Sequence, residues 1–96
     1  MKTIYKYPIE IDDTIKISLP GDAQILSIQE QNGQTCLWAL LDPQAKKRTR
    51  IIRTFGTGHP FDLSNYQFIS TVQYPRENLV FHFFEELKHR GLGYVD

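Results

Sequence analysis

Gln24-Ile25-Leu26-Ser27-Ile28-Gln29-Glu30-Gln31-Asn32-Gly33-Gln34-Thr35-Cys36-Leu37-Trp38-Ala39-Leu40-Leu41 is the stretch from which the architecture can be read. Asn32-Gly33 is the dipeptide preferred in type I′ hairpin turns, because both central residues must take positive φ. The run before it, residues 24–31, carries Ile25, Leu26 and Ile28 among polar residues and reads as a strand. The run after it, residues 35–41, is apolar on both faces: Cys36, Trp38 and Leu40 on one, Leu37, Ala39 and Leu41 on the other. Such a strand is expected in the middle of a sheet, covered on both sides.

The same period of two continues outward in both directions. Upstream, Pro20-Gly21-Asp22 marks a turn, and Ile15, Ile17 and Leu19 alternate with Thr14, Lys16 and Ser18. Before Asp12-Asp13, the residues Tyr5, Tyr7, Ile9 and Ile11 share a face, with Lys6 and Glu10 opposite. Pro8 cannot donate to a ladder, which assigns this first strand to a sheet edge. The two N-terminal strands are expected to form a hairpin around the aspartates. Downstream, Asp42-Pro43 ends the central strand, and strands are expected over 48–55, 66–74 and 79–84. Glu85-Glu86-Leu87-Lys88 could add a short C-terminal helical turn, and the tail 91–96 is expected to be loosely held. The expected fold is all-β: one domain over 1–96, an antiparallel sandwich or barrel of six to seven short strands.

Composition narrows the function classes. Apolar residues make up 41% of the 96 residues, enough to rule out a wholly disordered chain. Eleven basic residues balance eleven acidic ones, so the global basic excess of a duplex-DNA binder is missing. Cys36 is the one cysteine, and a lone thiol cannot form the internal disulfides common in small secreted domains. No apolar run approaches the roughly 18 to 20 residues that span a bilayer. A cytoplasmic protein without membrane contact is expected.

Chemistry is sparse along the chain. His59, His82 and His89 show no metal-ligand spacing with one another or with Cys36. His82 lies among Val80, Phe81, Phe83 and Phe84, which suits a half-buried, hydrogen-bonded histidine; His89, between Lys88 and Arg90, reads as solvated. Asp12-Asp13 and Glu85-Glu86 read as solvated turns and strand ends. No nucleophile elbow, phosphate-binding loop signature or carboxylate pair is recognisable. No catalytic residue, cofactor or metal is therefore expected.

The basic asymmetry lies at residues 46–53. Lys46, Lys47, Arg48, Arg50 and Arg53 place five cations in that segment with no acid among them. On a strand, Lys46, Arg48 and Arg50 share a face at steps of about 7 Å, close to the spacing of neighbouring phosphates. A charged, exposed strand face that resists aggregation is the plain alternative. Gly56-Thr57-Gly58-His59-Pro60 follows, where two glycines allow backbone N–H groups to converge on an anion, and Thr57 and His59 add donors. The candidate ligand-binding set is Arg48, Arg50, Arg53, Thr57, Gly58 and His59, with Tyr5 and Tyr7 as stacking partners for a base.

Tyr5-Lys6-Tyr7-Pro8-Ile9, Cys36-Leu37-Trp38-Ala39-Leu40, Gly56-Thr57-Gly58-His59-Pro60 and Leu79-Val80-Phe81-His82-Phe83-Phe84-Glu85 together resemble the segments of a small family common in phage and prophage genomes. The resemblance runs from Thr3 to Glu85 and brings no activity or catalytic residues. It implies a phage or bacterial origin and an accessory role. By analogy of class, small phage proteins often oppose host defences, some by sequestering cyclic or ADP-ribose-derived nucleotide signals between subunits. The expectation is thus a non-enzymatic, homo-oligomeric binder of a small phosphorylated ligand. An interaction module using an exposed strand edge is the alternative, and a small phosphoesterase built on His59 or His82 the second.

Overall fold

Asn32 and Gly33 take φ of 52° and 83°, the pair of positive values that a type I′ turn needs. Gln31 and Gln34 face each other directly across that turn, so its geometry sets the register of the whole hairpin. The computed structural model describes residues 1–87. Its strands are β1 (Thr3–Pro8), β2 (Thr14–Pro20), β3 (Gln24–Gln31), β4 (Gln34–Leu41), β5 (Lys47–Gly56), β6 (Tyr66–Tyr74) and β7 (Leu79–Glu86), with a 3₁₀ turn at Leu63–Asn65. They form two antiparallel sheets, one ordered β1-β4-β3 and the other β2-β5-β7-β6. The all-β sandwich expected from the alternating pattern is what forms.

The core lies between the sheets. Leu37, Ala39 and Leu41 from β4 and Ile28 from β3 meet Leu19, Ile52 and Phe83 from the second sheet, all fully buried. The two buried polar residues described in this layer, Thr35 and Ser70, are both paired. Thr35 Oγ1 and Tyr74 OH lie 2.8 Å apart across the sheets. Where β3 and β6 lie against each other, both strands bulge, β3 between Ile25 and Ser27 and β6 between Phe68 and Ser70. At that seam Ser70 Oγ accepts the Ile28 N–H at 2.9 Å. Among the described residues the opposite edges, β1 and β2, each pair with one strand.

Three sequence expectations need correcting. β1 and β2 do not form a hairpin; they belong to different sheets. Residues 9–13 cross between them, tied to β4 through Ile9 N–H to Thr35 O and to β5 through Thr54 N–H to Asp13 O, both 3.0 Å. Alternation and an aspartate turn suit a hairpin and a crossover equally, and β4, apolar on both faces, takes β1 as its second neighbour. β4 is central, but only one of its faces is packed on the other sheet. Cys36, Trp38 and Leu40 face outward, where they are shielded by flanking side chains such as Lys6, Pro8 and Gln29, which stand opposite them in register. Finally, Glu85 and Glu86 continue β7 as strand, where each faces an arginine of β5. Lys88, His89 and the tail lie outside the described residues. Among the described residues no helix is long and apolar enough to cross a membrane.

Candidate functional site

Alternation along β5 separates the basic residues. Ile52 is fully buried, so Arg48, Arg50 and Thr54 share its inward face, and Lys47, Thr49, Ile51, Arg53 and Phe55 point outward. The register agrees: Arg48 stands opposite Leu19 and Arg50 opposite Ile17, on the core side of β2. Arg50 is held between the sheets. Its Nε and Nη2 donate to the two oxygens of Glu85, the second at 2.9 Å, and its Nη1 donates to Ala23 O at 2.8 Å. Arg53 is engaged on the other face: Nη1 lies 3.3 Å from Glu86 Oε1 and 3.4 Å from Tyr66 OH, and its guanidinium sits 5.9 Å from the Phe55 ring centre. The adjacent acids of β7 thus serve as alternate-face partners for two arginines of β5.

The glycine loop folds back onto the outward face of the second sheet. Phe61 stacks on Phe55, ring centres 3.8 Å apart and planes within 4°, and meets Phe84 and Tyr66 edge-on. Asp62 caps the 3₁₀ turn by accepting the Ser64 N–H at 2.9 Å, which holds its carboxyl below the ordinary range. At the other end of the loop, Thr57 Oγ1 lies 2.8 Å from His82 Nε2, and Thr71 Oγ1 lies 2.9 Å from His82 Nδ1. His82 is therefore the half-buried, hydrogen-bonded histidine its surroundings indicated. Gly58 takes φ of 91°, which an L side chain rarely adopts. His59 is exposed, with its ring over Gly56: a Cβ there would stand 3.4 Å from His59 Cε1.

The candidate set therefore divides into three places. Arg48 and Arg50 face the interior, while Arg53, Thr57, Gly58 and His59 belong to the outward face and its loop. Tyr5 and Tyr7 stand on β1, in the other sheet, with ring centres 6.3 Å apart. Burial, and then the neighbouring Tyr5, push the Tyr7 hydroxyl pKa up. Among the described residues no three His, Cys, Asp or Glu side chains are grouped to hold a metal ion.

A separate concavity borders the core elsewhere. A cleft of about 340 Å³ opens at the end of the sandwich where the β3–β4 turn, the β6–β7 turn and the crossover after β1 meet. Ile9, Tyr74 and Phe81 form its floor, and Glu10, Glu30 and Glu77 stand around it. Sequence reasoning did not single out these acids. Each sits alone in its own segment, and only the meeting of the crossover after β1, the end of β3 and the β6–β7 turn gathers them.

The chain belongs to the family described as a domain of unknown function (DUF7352), which it matches over residues 1–91. No curated protein and no solved structure matches it.

Proposed function

We propose that the protein is a non-enzymatic binding module that takes an extended segment of a partner protein onto the free edge of β1. The observation that supports this most directly is the edge itself. Among the described residues β1 pairs with β4 alone, leaving one row of backbone N–H and C=O groups with no described strand beside it. β2 is open as well, but its exposed side chains are Thr14, Lys16 and Ser18, none of them large and apolar, so a strand laid there would cover little hydrophobic surface. β1 instead presents Ile4 and Tyr5, 57% and 44% exposed, along the residues that precede Pro8. A strand laid there gains main-chain hydrogen bonds, and it covers these side chains, which set specificity.

Capture from a bacterial lysate tests the reading. The wild type and a His59→Ala protein are expected to retain the same stoichiometric protein partner. Ile4→Lys with Tyr5→Lys, which charges the edge at two exposed positions, is expected to release it. Absence of any stoichiometric partner, or capture indifferent to the lysines, overturns the proposal. A second copy pairing its own β1 at this edge would give the homo-oligomer. A phage accessory role against a host protein, in the bacterial cytoplasm, is the setting the family resemblance suggests.

Sequestration of a small phosphorylated ligand is the second reading, and one arrangement favours it. Thr57, Gly58 and His59 lie on a loop bound to His82, on the same face as Arg53. Against it, Arg50 and Arg53 already hold carboxylates. Calorimetric titration with cyclic dinucleotides and cyclic ADP-ribose isomers decides it: this reading expects heat that Thr57→Ala and His59→Ala abolish. A flat titration at low salt removes it.

A further inference from the structure

We infer that, while no foreign segment is bound, the open edge of β1 pairs with the β1 of a second copy, antiparallel about a two-fold axis at Tyr5. The two first sheets then join into one continuous sheet. The inference rests on the strand-edge reading and names the occupant of that edge at rest.

The first ground is which backbone groups are open. Ile9 N–H donates to Thr35 O at 3.0 Å, and the β1–β4 register runs unshifted from Thr3 opposite Leu41 to Pro8 opposite Cys36. Successive residues of an antiparallel strand turn their N–H and C=O groups to opposite sides. Thr3, Tyr5 and Tyr7 therefore bond to β4, and Ile4, Lys6 and Pro8 turn their backbone groups to the open side. Pro8 has no N–H to offer there. An axis at Tyr5 sets Ile4 opposite the partner's Lys6 and Lys6 opposite the partner's Ile4, and each facing pair exchanges both main-chain bonds. Pro8 falls at the end of the ladder, where its C=O still accepts the N–H of the partner's Lys2.

The second ground is charge. Moving the axis one residue back, to Ile4, sets Lys2 opposite the partner's Lys6. Moving it forward to Lys6 sets Lys6 opposite the partner's Lys6. Like charges directly opposite destabilise a strand pair. The register centred on Tyr5 avoids both, and each Ile4 lies beside a lysine stem it can pack against.

The third ground is what guards the edge. A lysine on an edge strand ordinarily deters pairing. Here Lys6 Nζ donates to Gln31 Oε1 at 2.9 Å, across β4 on β3, which draws the charge back over the sheet. Ile4 and Tyr5, both exposed, are left to line the open side. Tyr5 falls on the axis in a non-hydrogen-bonded pair, the position where facing side chains stand closest, and gains an aromatic cross-strand neighbour. The edge thus matches itself in backbone, charge and side chain. A two-fold contact of this kind closes on two subunits and leaves neither β1 edge open to further growth.

Light scattering over a dilution series, with disulfide trapping, tests this on the intact protein. The wild type is expected at twice the 11.2 kDa of the chain. Tyr5→Lys, which sets two ammonium groups face to face at an exposed position, is expected to weaken the dimer by about tenfold or more without altering the circular dichroism spectrum. Tyr5→Cys is expected to link two copies on mild oxidation, since facing Cα atoms of such a pair lie about 4.5 Å apart, within disulfide reach. Ile4→Cys is expected to stay unlinked, because its own counterpart lies about 8 Å away along the partner strand, beyond that reach. Cys36 is buried and does not compete. A wild type that is monomeric throughout overturns the inference and leaves the strand-edge reading to the lysate capture. A dimer that survives Tyr5→Lys, or that links through Ile4→Cys and not through Tyr5→Cys, also overturns it. A monomer whose capture of partners is in addition indifferent to lysines at Ile4 and Tyr5 overturns both.

Discussion

Arg50→Ala is expected to lower the unfolding free energy by about 3 kcal/mol, near the lower end of the range for removing one partner of a buried ion pair. The side chains of Arg50 and Glu85 are 12% and 16% exposed, so the pair is largely but not wholly withdrawn from water. Residual solvent access keeps the effect from the top of the range. Removing the guanidinium deletes two bonds to Glu85 and one to Ala23 O, and strands a carboxylate between two sheets. The double replacement Arg50→Met with Glu85→Leu fills the same space without charge and is expected to recover most of the loss. Urea denaturation of the three proteins measures both effects. A loss below about 1 kcal/mol for Arg50→Ala would be the response of a solvated pair, and would return Arg50 to the set of residues available to a ligand.

That pair shows where sequence reasoning stops. The density of cations over residues 46–53 is plain in the chain, and alternation alone correctly divides them between two faces. The partners are not plain. Glu85 is 35 residues from Arg50, and Glu86 is 33 from Arg53. Only the register of β5 against β7, which sets Ile52 opposite Glu85 and Arg53 opposite Phe84, brings them together. Register between distant strands is decided by packing of the whole core, and two adjacent acids at a strand end carry no local mark of it. The β3–β4 hairpin is legible for the opposite reason. Its turn chemistry resides in Asn32 and Gly33 themselves, whose positive φ angles need no tertiary help. The β1–β2 crossover lies between these cases, because an aspartate pair announces a change of direction and says nothing about which sheet receives the next strand. The acidic cleft is hidden for the same reason as the ion pairs, since Glu10, Glu30 and Glu77 come from the crossover after β1, the end of β3 and the β6–β7 turn.

The glycine loop offers the sharpest division between the two functional readings, through Phe61 rather than through its hydrogen-bond donors. Phe61 is a lone aromatic in the loop between β5 and β6, which is a signal in itself: a loop residue of that size needs somewhere to be buried. It finds the outward face of the second sheet, stacked on Phe55 and edge-on to Tyr66 and Phe84. Phe61→Ala is expected to cost about 2 kcal/mol, less than the roughly 3 to 5 typical of a fully buried phenylalanine, because the ring is half-buried. The damage should be local. Amide exchange is expected to quicken across residues 57–65 and to stay slow in β3 and β4, and the ring resonances of His82 should shift as Thr57 loosens its hold. Loss of protection throughout the molecule would instead make the loop part of the cooperative core. The variant then separates the readings, because Phe61 packs on the second sheet, whereas β1 belongs to the first, where it pairs with β4. A protein that captures its partner normally while this loop exchanges freely has its working surface at the β1 edge. One that loses partner or nucleotide binding in proportion to loop opening has it where Thr57, Gly58 and His59 are held against His82.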